Sequence, residues 1–191
     1  MQKGVSSAMA NRYSRGHESV ESYNVQLRKI DKAVYQERRS RIQWAMIAAL
    51  FALSLLFSEL YRFLFVAGES SFWLNAAGVA TGAGIVLSVL VRLRNTPYFD
   101  EVNYVWMLKQ ELNRIYRAQK KLDAALADGR RDALIIRLYN LEASRQVYDL
   151  DDNTLTMTEL VRDLDELRER IRNEDLAIST ADYRPELLER L

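Results

Sequence analysis

The residue types that carry chemistry are scarce in this chain and lie far apart. Its 191 residues include one histidine, His17, and no cysteine. Disulfides, thiolate nucleophiles and cysteine-held metals are therefore excluded. No Ser/His/acid constellation, phosphate-cradling glycine loop or metal-ligand cluster stands out. The most acidic stretch is Asp149-Leu150-Asp151-Asp152-Asn153-Thr154. Asp149, Asp151 and Asn153 match the first half of a calcium-binding EF-hand loop. Thr154 then stands where the sharp turn takes glycine, and Leu160 where a bidentate glutamate is needed. The stretch reads as a turn with helix-capping carboxylates. The chain is expected to be no enzyme and to use no cofactor.

The element that must position everything else is residues 42–91. Ile42–Ser58 runs 17 residues without a charge, and Ser70–Val91 runs 22. A helix rises about 1.5 Å per residue, so about 20 apolar residues cross a hydrocarbon core about 30 Å thick. Both runs read as transmembrane spans, about 42–66 and 71–93, in a hairpin over residues 42–94. The turn Ala67–Ser71 contains Gly68 and Glu69. Trp44 marks one membrane boundary; Tyr61, Phe72 and Trp73 mark the other.

Charge is segregated along the chain. Residues 1–41 carry nine Lys/Arg against four Asp/Glu, and residues 98–191 carry fifteen against twenty. Arg38, Arg39 and Arg41 precede the first span, and Arg92 and Arg94 follow the second. Positive flanks stay cytoplasmic, which places both termini there. These arginines read as topology charges, with contact to anionic lipid as a second role.

Small and polar residues within the spans raise two further questions. Gly78 and Gly82 are four apart, a groove where another helix approaches closely, within the chain or from a second copy. Glu59 and Arg62 share a helix face and pair, either as a buried ion pair or by snorkelling to the interface. Asn75 lies near the second boundary. On the helix wheel it departs from Thr81 and Ser88, so the three do not form one polar stripe.

The flanking segments complete the expected organisation. Residues 1–22 are serine-rich and polar, a disordered arm. Residues 23–41 show Leu27, Ile30 and Val34 at helical spacing among basic residues, a juxtamembrane helix. Thr96 caps and Pro97 opens a helix that runs to about Ala127. Its apolar stripe is Tyr104, Leu108, Leu112, Ile115, Leu122 and Leu126, opposite Lys109, Arg114, Arg117, Lys120 and Lys121. Gly129 ends it. A second helix covers Asp132 to Tyr148, with Ala133, Leu134, Leu138 and Leu141 inward. Thr156 and Glu159 form a capping box for a third, Met157 to about Asn173, with a seam of Leu160, Leu164, Leu167 and Ile171. The fold class is all-α: a two-helix transmembrane hairpin followed by a cytoplasmic three-helix antiparallel bundle over residues 95–175. Residues 176–191 form a frayed tail.

Two irregular stretches carry a resemblance. They are PYFDEVNYVWMLKQELNRIYR, from Pro97 to Arg117, and SRQVYDLDDNTLTMTEL, from Ser144 to Leu160. With the hairpin and its Phe72-Trp73-Leu74-Asn75 opening, the chain resembles a bacterial family of small two-span membrane proteins known only as a domain of unknown function. The resemblance covers about residues 25–175. It implies a bacterial inner-membrane location and supplies no catalytic or ligand residue. The expected function is a membrane-anchored interaction or scaffolding protein. The alternative is an oligomeric pore or transport subunit built from the hairpin. Expected partners are the lipid bilayer and either another protein or further copies of the chain. No nucleic acid or small-molecule substrate is indicated.

Overall fold

The computed structural model describes residues 26–65 and 72–191. The disordered arm expected over residues 1–22 and the turn over 67–71 lie outside the described residues. Among the described residues every regular element is helical. Helix α1 spans Lys32–Phe65 and α2 spans Phe72–Leu93. A 3₁₀ turn, Pro97–Phe99, leads into α3, Asp100–Arg117. Helices α4 (Gln119–Ala127), α5 (Arg131–Leu150) and α6 (Met157–Asn173) follow. Two 3₁₀ segments, Thr180–Asp182 and Pro185–Arg190, end the chain.

Helices α1 and α2 pair with each other and leave most of their apolar surface uncovered. None of the most apolar 18-residue window of α1 is buried, and 11% of that of α2 is. Phe51, Phe63, Phe72 and Trp73 each expose two thirds or more of their surface. Both helices are long and apolar enough to cross a membrane.

The remaining helices bury an ordinary core, with α5 at its centre. Ala133, Leu134, Ile136, Tyr139, Ala143 and Val147 face inward around much of its circumference. One side meets Tyr104, Val105, Leu108 and Ile115 of α3 and Leu122 of α4. The other side presents Leu138 and Leu141 to Leu164 and Ile171 of α6, with Leu160 and Leu167 partly covered. Of the inward residues read from helical periodicity, Tyr104, Leu108, Ile115, Leu122, Ala133, Leu134, Leu138, Leu141, Leu164 and Ile171 are buried, and Leu112, Leu126, Leu160 and Leu167 are partly covered.

Four boundaries differ from the sequence reading. The basic segment 23–41 is not a separate helix. Residues 26–31 are non-helical, and α1 runs without interruption from Lys32 into the apolar run. Its start is capped by Asp31, whose carboxylate accepts from the Val34 amide at 3.1 Å. The helix expected to reach Ala127 in one piece breaks at Ala118. The Ala118 amide donates to Ile115 at 3.0 Å, and its own carbonyl accepts from both Lys121 and Leu122. These local bonds satisfy the break without glycine or proline, so composition does not announce it.

The two threonine caps also differ. The Thr96 hydroxyl donates backwards to the Leu93 carbonyl at 2.7 Å, closing α2 rather than opening α3. Thr156 makes no side-chain cap, because its backbone (φ −103°, ψ 1°) is not in the extended conformation a cap requires.

The frayed tail is the largest correction. Tyr183, Pro185, Leu187 and Leu188 are buried. Tyr183 stacks on Tyr139 with centroids 3.9 Å apart and ring planes 11° apart. Its hydroxyl donates to the buried carboxylate of Glu111. The C-terminal segment therefore closes the core on α3 and α5, and the bundle has four helices plus this strap.

Candidate functional site: a charged junction at the base of the long helix

The first turns of α1 are held to the helical core by the acidic turn after α5. That turn has the geometry of a Schellman motif. The Asn153 amide reaches back to Tyr148 at 2.9 Å and the Asp152 amide to Asp149 at 3.2 Å. Asp152 takes the left-handed conformation, φ 56°. The turn fans three carboxylates toward α1.

Asp151 is the hub. Its Oδ1 accepts from the Tyr35 hydroxyl at 3.0 Å and from Arg39 Nη1 at 2.6 Å, and its Oδ2 accepts from Lys109 Nζ at 2.5 Å. Only 21% of its side chain is exposed. Burial opposes ionisation, but hydrogen bonds from Lys109 and Tyr35 and the charges of Lys109 and Arg39 outweigh it. The carboxyl is held below its usual range. Tyr35 is itself buried, which pushes its hydroxyl pKa up. The phenol stays neutral at ordinary pH and donates.

Lys32 and Gln36 extend the junction by one turn. Lys32 Nζ pairs with Asp152 at 2.7 Å and Asp149 at 3.3 Å. Gln36 Nε2 donates to Asp152 Oδ2 at 2.6 Å and to the Leu150 carbonyl at 3.1 Å. The hydrogen bond from Lys32 leads the forces that hold Asp152 below its usual range.

The opposite side of α1 is tied to the start of α3. Arg38 pairs with Glu101 and donates to the Pro97 carbonyl at 3.2 Å. Arg28, in the non-helical lead, pairs with Asp100 at 2.8 Å and lies 4.5 Å from the Tyr104 ring centroid. The Arg28 amide donates to the Tyr104 hydroxyl at 3.1 Å, and Gln146 Nε2 donates to the Arg28 carbonyl at 2.6 Å. Residues 28 to 39 are thus clasped between α3 and the end of α5.

The residues singled out in the sequence fall into separate groups. Arg38 and Arg39 belong to the clasp. Among the described residues Arg41 pairs along its own helix, with Glu37 at 2.6 Å. Arg92 and Arg94 are exposed at the end of α2. Glu59 and Arg62 pair at 2.5 Å on the exposed face of α1. Asn75 is exposed, and its carbonyl accepts from Ser58 Oγ at 3.4 Å.

Gly78 and Gly82 are buried against α1. A Cβ on Gly78 would lie 2.4 Å from Ser58 Oγ and 2.6 Å from the Ser58 nitrogen; one on Gly82 would lie 3.0 Å from the Ser54 nitrogen. The close approach they permit is therefore made within the chain. The polar groups of α2 are also engaged locally. Thr81 bonds Tyr61 and the Ala77 carbonyl, each at 2.9 Å, and Ser88 bonds the Gly84 carbonyl at 2.7 Å.

The carboxylates of the acidic turn accept from Lys32, Arg39, Lys109, the Tyr35 hydroxyl and the Gln36 amide. Among the described residues no three His, Cys, Asp or Glu side chains gather around a common point. Sequence reasoning found the acidic turn and the basic segment but not their partnership. The segregated charge, basic before the hairpin and acidic after it, was the available signal.

Neither the comparison with curated proteins nor that with solved structures returned a match. A family model described as "Protein of unknown function (DUF3087)" matches residues 25–188, nearly the whole chain and all of the clasp. The chain belongs to this family of unknown function.

Proposed function

We propose that the chain is a membrane-anchored interaction or scaffolding protein of a bacterial inner membrane. Its hairpin spans the bilayer and its helical domain lies in the cytoplasm. The observation that carries this reading is the contrast along α1. Its apolar part is uncovered, while its first turns are fixed by ion pairs to a well-packed helical domain. At about 1.5 Å per residue, the 34 residues of α1 extend well beyond a hydrocarbon core of about 30 Å. The surplus is the clasped basic end. A rigid shaft fixed at its base holds the domain at a set height and orientation below the bilayer. That geometry suits the presentation of a docking surface.

The positive residues favour one orientation. Arg38, Arg39, Arg41, Arg92 and Arg94 all lie at the clasped end of the hairpin, the side that positive flanks keep cytoplasmic. The pore alternative draws less support. The small-residue face that oligomerisation would use is filled by the chain's own α1, and Thr81 and Ser88 are satisfied locally.

Placement and role are tested separately. The chain has no cysteine, so single cysteines report cleanly. In intact spheroplasts a membrane-impermeant maleimide should label Glu69→Cys. It should reach Leu155→Cys, at a residue 94% exposed, only after lysis. The reverse pattern overturns the topology. Sizing in native-lipid particles tests the role. A stoichiometric partner supports scaffolding, a defined homo-oligomer with nothing else bound favours the pore alternative, and a bare monomer under all conditions overturns scaffolding.

A further inference from the structure

Helices α1 and α2 touch where Gly78 and Gly82 meet Ser58 and Ser54, and leave a gap between them nearer their clasped end. The gap is a cleft of about 580 Å³, within the range of about 300–1,000 Å³ typical of ligand sites. Ala45, Ala49, Leu53, Ile85 and Val89 give it apolar walls, and Phe99 and Arg41 also line it. Resting on the membrane reading above, we propose that this cleft binds an anionic glycerophospholipid of the inner leaflet. One acyl chain lies between the helices and the phosphate meets Arg41.

Charge identifies the occupant. Arg28, Lys32, Arg38 and Arg39 are matched by carboxylates of the helical domain. Among the described residues, the cation that lines the cleft is Arg41, ion-paired with the exposed Glu37 of its own helix. Arg92 borders a depression that shares Ile85 and Val89 with the cleft. Two cations, Arg41 and Arg92, against the one carboxylate of Glu37 suit a phosphate, and the apolar walls suit hydrocarbon. A helix from a second copy fits less well. In the same membrane orientation it would bring its own Arg41 and Arg92 to this level, against like charge.

The test is native mass spectrometry of the full-length protein in detergent. Dioleoyl phosphatidylglycerol and dioleoyl phosphatidylcholine are added in turn, so that only the headgroup differs. Wild type should retain the phosphatidylglycerol at collision energies that strip the phosphatidylcholine. Arg41→Gln, a surface change that leaves the fold intact, should reduce that preference about fivefold. Ala49→Trp should fill the cleft and remove bound lipid. Equal retention of the two lipids by wild type, or an unchanged preference in Arg41→Gln, overturns the proposal. So does a dimer that holds no lipid and is broken by Ala49→Trp, which assigns the cleft to a second copy. Release of the protein from membranes by alkaline carbonate overturns the membrane reading itself. A membrane-retained protein without lipid preference overturns the lipid site alone.

Discussion

The Tyr35 hydroxyl donates to the Asp151 carboxylate at 3.0 Å, joining residues 116 positions apart in the chain. This bond fixes the rotation of α1 about its own axis, because Tyr35 is the buried residue of that helix and the hub carboxylate is where its hydroxyl points. Tyr35→Phe keeps the ring and removes only the donor. Arg39 and Lys109 still satisfy Asp151, so the expected loss is about 1 kcal/mol. Asp151→Ala strands the Tyr35 hydroxyl and leaves two cations unpaired, with an expected loss of about 2–3 kcal/mol. Chemical unfolding of the detergent-solubilised protein, followed by circular dichroism, separates the two. Equal losses would mean that the hydroxyl, not the charge, holds the junction.

The clasp should loosen in acid. The Asp151 pKa in the folded protein lies below the ordinary 3.8, so stability from its ionisation is fully present above that value. It is lost as pH falls through the still lower folded-state pKa. Asp152 adds to the same trend through its bond from Lys32, with a smaller effect because it is exposed. Protection of the amides of residues 32–41, measured against their intrinsic exchange rates, should therefore stay high at neutral pH and fall below the ordinary carboxylate range. In Asp151→Asn that acid-dependent step should largely disappear. An unchanged pH profile in the variant would exclude Asp151 as its source.

The two glycines of α2 differ in what surrounds them. Gly78→Ala places a methyl group 2.6–2.8 Å from backbone atoms of Ser58, so the helices must separate. A cost of about 1–3 kcal/mol is expected, as for overpacking a tight core. Gly84→Ala meets no atom within 4 Å and should be neutral or slightly stabilising, since alanine is the better helix former. Thermal melting of both variants in one detergent makes the comparison. Equal behaviour would show that helix propensity, and not the interhelical contact, governs the hairpin.

What the sequence made legible and what it hid have distinct physical origins. The inward faces of α3, α5 and α6 follow from a period of 3.6, which is why Leu108, Ile115, Leu138 and Leu164 were readable. The hairpin helices follow from hydropathy alone. The clasp was hidden because periodicity reports which face is buried and not which distant element covers it. Lys32, Arg39 and Asp151 look like ordinary surface charges until the fold brings them together. The first turns of α1 were misread for a related reason. A polar helix feeding directly into an apolar one has no break in propensity, only a change of surroundings. The tail hid its role in single residues. Tyr183 is buried, but one aromatic has no period.

The tail therefore gives a sharp prediction. Tyr183→Phe should preserve the stack on Tyr139 and remove the hydroxyl that Glu111 accepts from. Arg114 Nη1, 3.9 Å from the same carboxylate oxygen, then becomes its main compensating charge. A buried carboxylate that loses a hydrogen bond costs about 1–3 kcal/mol, and Tyr183→Ala adds the emptied ring volume for about 3–5 kcal/mol. Limited proteolysis reads both. Cleavage near residues 176–182 should rise modestly in Tyr183→Phe and strongly in Tyr183→Ala. Rapid cleavage already in wild type would return the segment to a frayed end.

Asp175 and Asp152 share an unusual backbone, φ 50° and 56°, and differ in what their side chains do. Each ends a helix in the left-handed conformation, where glycine carries no steric penalty. The Asp175 side chain forms no ion pair among the described residues, and its turn is closed by backbone bonds from Leu176 to Ile171 at 3.0 Å and from Asp175 to Arg172 at 3.1 Å. Asp175→Gly keeps both bonds and relieves the strain, so it should stabilise by about 0.5–1 kcal/mol. Asp152→Gly relieves the same strain but removes the carboxylate that Lys32 and Gln36 hold, so its gain should be cancelled or reversed. Raising ionic strength weakens that exposed pair in the wild type and should narrow the difference between the two variants. If both glycines stabilise equally at low salt, the Asp152 pairing contributes nothing to the junction, and the acidic turn holds α1 through Asp151 and Asp149.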